Sequence, residues 1–97
     1  MKIELSISNK NDHIKIKKIC KALSDLIRLK ILQIIKDGSM NYGDISKAVE
    51  RSPTSITNHM GWIRQGELIE DLLLEGQRGK MQKIPKLKIT EIVIKLK

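Results

Sequence analysis

The 97-residue sequence predicts an α+β domain, and three features carry that expectation. Apolar residues recur at helical spacing from about residue 13 to residue 65. Two strand-like runs follow, separated by a two-glycine turn. The opening Ile3, Leu5 and Ile7 alternate with Lys2, Glu4, Ser6 and Ser8, the period-2 pattern of a half-buried strand. Together these predict three to four helices and a β-hairpin, with room for an extra N-terminal strand, all within one domain over residues 1–97.

Asn9 to Asp12 breaks the first strand. Ile16, Ile19, Cys20 and Leu23 then recur as one face of a helix running to about Leu23. Ser24 or Asp25 can cap a second helix, because a short side-chain oxygen accepts an otherwise orphaned first-turn amide. Ile27, Leu29, Ile31, Leu32, Ile34 and Ile35 give this second helix a wide apolar face, so it is expected to be the best buried. Arg28 and Lys30 fall off that face, and Gly38 supplies a left-handed stop. Asn41 and Asp44 resemble a capping box and open a third helix with Ile45, Ala48 and Val49 inward. Ser52 caps a fourth helix with Pro53 at its first position, where the missing N–H costs nothing. Ile56, Met60 and Ile63 line its inner side, and Gly66 ends it.

Leu68 to Leu74 reads as a strand. Glu75 to Gly79 is a turn, and Met81 to Ile89 is a return strand that Pro85 confines to an edge. The last stretch is ambiguous. Ile89, Ile92, Val93 and Leu96 fit a helical face with Thr90 as cap, while the alternation of Ile92, Ile94 and Leu96 fits a strand. A short helix is the expectation.

A chain this short builds a modest core. No apolar run approaches the roughly 20 residues that span a bilayer, and the first residues lack the order of a secretory signal. A cytoplasmic protein without a membrane partner is expected. Cys20, the single cysteine, permits neither an intramolecular disulfide nor a cysteine-built zinc cage. Catalysis finds no inventory: there is no nucleophile–base pair, phosphate-cradling glycine loop or usefully spaced pair of carboxylates. An enzyme, a metal and a cofactor are therefore not expected.

The net charge of +8 points to a polyanionic partner. It is unevenly placed. Residues 10–21 carry five lysines against Asp12, and residues 78–97 carry seven cations against Glu91. Residues 42–66 carry three cations against two acids, and residues 67–77 hold four acids and no cation. The acidic run Glu67, Glu70 and Asp71 would be repelled by DNA, so its strand face is expected to point away from a duplex.

Two helices joined by a tight turn and followed by a glycine-tipped hairpin make a winged helix-turn-helix, with the helix pair at about 42–66 and the wing at about 67–89. The second helix of such a pair must keep one apolar stripe on the core and offer short polar side chains to base edges. Ser52, Thr54, Ser55, Thr57, Asn58 and His59 are the candidates for this, since Asn can pair bidentately with adenine and Ser or Thr can donate or accept. Gln77, Arg78 and Lys80 at the hairpin tip are candidates for phosphate contacts, which position but do not specify. His59 has a second reading, as a half-buried brace between helices. Trp62 is expected to pack over the core or a subunit seam, the alternative being stacking on DNA or a partner. Cys20 reads as a small core or interface residue, His13 as an exposed helix-start residue, and Met40, Met60 and Met81 as fillers.

Residues 21–32, Lys-Ala-Leu-Ser-Asp-Leu-Ile-Arg-Leu-Lys-Ile-Leu, resemble the opening of the ArsR family of regulators, where "ALADPTRLRIL" is typical. Residues 44–69 are similar to that family's "ELAEALGLSQSTVSHHLKVLREAGLV". The resemblance covers about residues 20–84 and implies a homodimeric prokaryotic transcriptional regulator, more often a repressor, that binds double-stranded DNA. By position, it places Ser52, Thr54, Ser55, Thr57, Asn58 and His59 in the recognition segment. The chain departs from the family in three places. The third helix lacks the Cys-x-Cys of metal-sensing members, so that role does not transfer. Gly61 and Trp62 stand where Lys-Val is usual. The C-terminal dimer helix is short or absent. Two other functions compete with this reading: a winged-helix module binding a protein through Trp62 or the acidic strand, and a sequence-neutral DNA coater. The richness in Ile and Lys hints at a thermophile.

Overall fold

The computed structural model describes residues 1–35, 39–76 and 79–97. The chain runs β1 (Lys2–Ser6), a 3-10 turn (Lys10–Asp12), α1 (His13–Leu23), α2 (Leu26–Ile34), α3 (Tyr42–Val49), α4 (Pro53–Gln65), β2 (Ile69–Glu75), β3 (Met81–Leu87) and β4 (Glu91–Lys95). The stop expected at Gly38 lies outside the described residues.

Local capping chemistry sets the helix starts. Asp25 accepts the Ile27 N–H at 2.7 Å and begins α2. That bond lowers the Asp25 pKa, helped by the charge of Arg28, while desolvation opposes the shift. Asn41 and Asp44 form the complete reciprocal box at the head of α3. Ser52 accepts the Ser55 N–H at 3.2 Å, with Pro53 in the first turn of α4. The turn between α3 and α4 passes through Glu50 at φ 54°, a left-handed conformation usually left to glycine. At the end of α4 it is Glu67, at φ 57°, that turns left-handed, while Gly66 stays right-handed at φ −75°. Gly66 is needed for space instead: a Cβ there would lie 3.1 Å from Ala22 Cβ and 3.4 Å from the Lys18 carbonyl oxygen.

Helix α3 buries three of its eight residues against two of nine in α2, correcting the expectation that α2 is best buried, and α4 gives the core three large apolar side chains. Those of α4, Ile56, Met60 and Ile63, are at most 1% exposed, and each contributes about 1.5–3 kcal/mol of burial. In α2 only Arg28 and Ile31 are buried, and Leu26 is 81% exposed. Ala48 of α3, expected inward, is exposed, as is Met81. Cys20 is exposed rather than buried in the core, since Ile19 and Ala22 occupy the inner side of α1. The core joins those residues to Ile31, Ile35, Ile45, Val49, Leu68 and Ile89.

Two separate two-stranded sheets complete the fold. β2 and β3 pair antiparallel from Ile69↔Leu87 to Glu75↔Met81. Pro85 sits opposite Asp71, tolerated because this ribbon leaves one side of each strand unpaired. The C-terminal segment is a strand, not the short helix expected. β4 runs parallel to β1, from Lys2↔Glu91 to Ser6↔Lys95. Ile3 and Leu5 on β1 and Ile92 on β4 then share one face against the core. Backbone pairing across the whole length of the chain, such as Ile7 N–H to the Lys95 carbonyl at 2.8 Å, decided an ambiguity that spacing alone left open. Among the described residues, no helix is long and apolar enough to cross a membrane.

Candidate nucleic-acid interface

With Ile56, Met60 and Ile63 turned to the core, the N-terminal half of α4 presents its other side to solvent. Thr54, Thr57 and Asn58 are exposed and Ser55 is half-buried. Thr54 and Asn58 lie one turn apart on the same face. Neither side chain makes a hydrogen bond to another described residue, so Asn58 offers both amide donors and its side-chain carbonyl oxygen. The Thr57 hydroxyl donates to the Pro53 carbonyl at 3.0 Å, and the residue is exposed. Ser52 is exposed, and its oxygen holds the helix cap.

His59 takes the bracing position. Its Nδ1 lies 3.2 Å from Arg28 Nη1; since a guanidinium only donates, Nδ1 accepts and the ring proton sits on Nε2. Arg28 is 6% exposed. It also donates to the carbonyls of Ala22 at 3.1 Å and Lys21 at 2.8 Å, and to the Ser24 hydroxyl at 3.2 Å. One buried cation thus neutralises the C-terminal carbonyls of α1 and fixes α4 through His59. Its place off the apolar face of α2 gave the periodicity argument no sign of this.

A second network fixes the wing. Asp71 accepts from Arg64 Nε at 2.9 Å and from the Tyr42 hydroxyl at 3.1 Å. The Arg64 guanidinium lies 5.2 Å from the Tyr42 ring centre. Asn41 donates to Gln82 at 3.2 Å, tying the head of α3 to β3. Asp71 is therefore a structural hub, whereas Glu67 and Glu70, grouped with it as one acidic run, are exposed. At the wing tip, Lys80 is exposed and Gly79 adopts φ +72°. Gln77 and Arg78 lie outside the described residues.

Trp62 sits at the other end of α4, 38% exposed. The Lys21 ammonium lies 5.0 Å over its ring, and the ring borders a groove of about 450 Å³ that also touches Ile14, Lys17 and Lys18 of α1. This places it against α1, about two turns from Thr54 and one from Asn58. Among the described residues, no cluster of three or more His, Cys, Asp or Glu side chains could hold a metal ion.

The four-helix core, the helix pair with its capped second member and the pinned hairpin define a winged helix-turn-helix protein. No protein-family model matches the chain. It is 37% identical over 68 residues to an HTH-type transcriptional regulator of Methanocaldococcus jannaschii, covering 69% of this chain and 72% of that protein. It is 42% identical over 53 residues, 55% of this chain, to the transcriptional repressor SdpR of Bacillus subtilis, and spans 59% of that protein's length. Among solved structures, reduced HlyU from Vibrio cholerae matches with TM-score 0.66 and 25% identity, over 84% of this chain and 80% of that one. The homodimeric winged helix-turn-helix DNA-binding domain of Mb0332 from Mycobacterium bovis, a possible ArsR-family regulator, matches in fold with TM-score 0.63 at 22% identity. That match covers 75% of this chain and 63% of the other. The chain belongs to the ArsR-like winged helix-turn-helix family of transcriptional regulators.

Proposed function

We propose that this chain is a sequence-specific double-stranded DNA-binding regulator, acting without enzymatic activity as a homodimer in a prokaryotic cytoplasm. Helix α4 enters the major groove, and Thr54, Ser55 and Asn58 meet base edges there. The Thr57 methyl suits a thymine methyl, and Ser52 lies close to the phosphates. His59 contributes by holding the helix in place. Gln77, Arg78 and Lys80 of the wing take the neighbouring backbone, and the two α4 helices of the dimer fall one turn of DNA apart, about 34 Å. Repression is the favoured sign, in keeping with the name of the 42% identical Bacillus relative.

The observation that carries this reading is the uncommitted side-chain amide of Asn58, exposed on a helix that is capped, braced and anchored in the core by Ile56, Met60 and Ile63. A binding site would first be selected from random DNA, and mobility shifts then run with Asn58→Ala. A bidentate Asn–adenine pair is worth about 1–3 kcal/mol, so affinity for the selected site should fall roughly 5- to 150-fold, with thermal stability and affinity for random DNA unchanged. If Asn58→Ala combined with Lys80→Ala binds as tightly as the parent, the reading is wrong. Failure to shift DNA at any salt concentration would favour a protein-interaction module. Equal affinity for selected and random DNA would favour a sequence-neutral coater.

A further inference from the structure

The β1·β4 sheet is an unusual element to leave as it stands. Parallel ladders are less stable per residue than antiparallel ones and rarely occur outside larger sheets, and a two-stranded sheet is marginal by itself. The direction of its backbone groups shows which edge is open. The Ile7 N–H donates to the Lys95 carbonyl at 2.8 Å, whereas the Ser6 N–H points the other way, to the Asp12 carboxylate at 3.0 Å. In an evenly spaced parallel ladder the groups facing the partner strand therefore belong to Ile3, Leu5 and Ile7 on β1 and to Glu91, Val93 and Lys95 on β4. Those of Ile92 and Ile94 face outward. On that side β4 has no strand neighbour among the described elements. The outer edge of β1 is different, because Asp12 and the turn beginning at Lys10 close it at Ser6.

We propose that β4 pairs antiparallel with β4 of a second copy across a two-fold axis at Val93, forming the continuous four-stranded sheet β1-β4-β4-β1 as the subunit seam. The proposal rests on the homodimer part of the reading above and is independent of what the dimer binds.

Self-complementarity of the strand argues for this occupant. Pairing about Val93 sets Glu91 opposite Lys95 of the second copy, and Lys95 opposite its Glu91. Opposite charges directly across a ladder favour pairing, and the two-fold makes the favourable pair twice. Ile92 falls opposite Ile94. These are the residues whose N–H and C=O groups face outward, so they occupy the hydrogen-bonded positions an antiparallel ladder requires. Val93 meets its own copy in a non-hydrogen-bonded pair. A slip of one residue in either strand would place Glu91 opposite Ile94 or Leu96, and would lose the Glu91–Lys95 match. The open edge, a liability in a monomer, becomes the joint.

The experiment uses the full chain with the exposed Cys20 changed to Ser. In a non-hydrogen-bonded antiparallel pair the two Cα atoms lie about 4.5 Å apart, within disulfide reach. Val93→Cys should therefore yield a covalent dimer under mild oxidation. Glu91→Cys should not, because four residues of stagger put the two sulfurs about 13 Å apart. Sedimentation of the charge variants is the second measurement. Glu91→Lys and Lys95→Glu should each dimerise about tenfold more weakly than the parent, and an equimolar mixture of the two should recover the parent's association. A monomer at all concentrations would overturn the proposal. So would a solution dimer in which Val93→Cys does not cross-link, Glu91→Cys cross-links as fast, or the mixture shows no recovery. DNA is absent from both measurements, so failure here and failure of DNA binding are separate results.

Discussion

Gly61 and Gly66 lie five positions apart on and just beyond α4, and the same change should move stability in opposite directions. A Cβ at Gly61 meets nothing within 4 Å, so Gly61→Ala removes only backbone entropy from the unfolded chain and should stabilise by about 1 kcal/mol. In a domain of this size that raises the melting temperature by about 4–8 °C. At Gly66 the Cβ would press on Ala22 and on the Lys18 and Ile63 carbonyl oxygens. Gly66→Ala should cost about 1–3 kcal/mol, since neither α1 nor the end of α4 can shift without disturbing the core. Thermal melts of the two variants check both signs. The sequence suggested that Gly66 ends α4; it held no sign that Gly66 is there to let α1 approach. Arg28 makes the same point. Charge patterning put it outside, yet five rigid donors let it be buried where helix carbonyls and an imidazole can satisfy them.

At the scale of elements, the wing depends on a single carboxylate. Asp71 links β2 to α4 through Arg64 and to α3 through Tyr42. Asp71→Ala leaves a half-buried guanidinium and a phenol without that acceptor and should cost about 1–2 kcal/mol. Hydrogen exchange should show β2 and β3 amides losing protection while α4 keeps its own, because the helix retains Ile56, Met60 and Ile63 in the core. Equal loosening of α4 and the wing would contradict the hub. Helix starts were legible residue by residue: Asp25, Asn41 and Ser52 all cap as expected. The rank of burial was not. The wide apolar face of α2 suggested the best-buried helix, but Leu26 and Leu29 remain exposed, because the fold places too few elements over that side.

For the whole molecule, the net charge of +8 is less informative than its placement. The α1 lysines Lys17, Lys18 and Lys21 border the Trp62 groove, about 12 Å along α4 from Thr54. Lys80 stands on the wing. If the wing contacts phosphate, Lys80→Ala should reduce the slope of log affinity against log salt by about 1 for each subunit bound, whereas Lys17→Ala should leave it unchanged. A mobility-shift series across salt concentrations measures both. Equal changes for the two variants would mean that DNA responds to overall charge and not to a docked face.

What could be read along the chain has partners close along the chain. A cap reaches two or three residues, a turn about four, and an apolar stripe repeats every three or four; the helix pair, the hairpin and the exposed side of α4 were legible for that reason. The remaining features join distant residues. Arg28 finds His59 31 positions away, Tyr42 finds Asp71 29 away, and β4 is a strand because β1, nearly the whole chain distant, supplies its ladder. Ile92, Ile94 and Leu96 satisfy either spacing, and a short segment has too little intrinsic preference to choose. Tertiary pairing chose, turning the expected short helix into an edge strand.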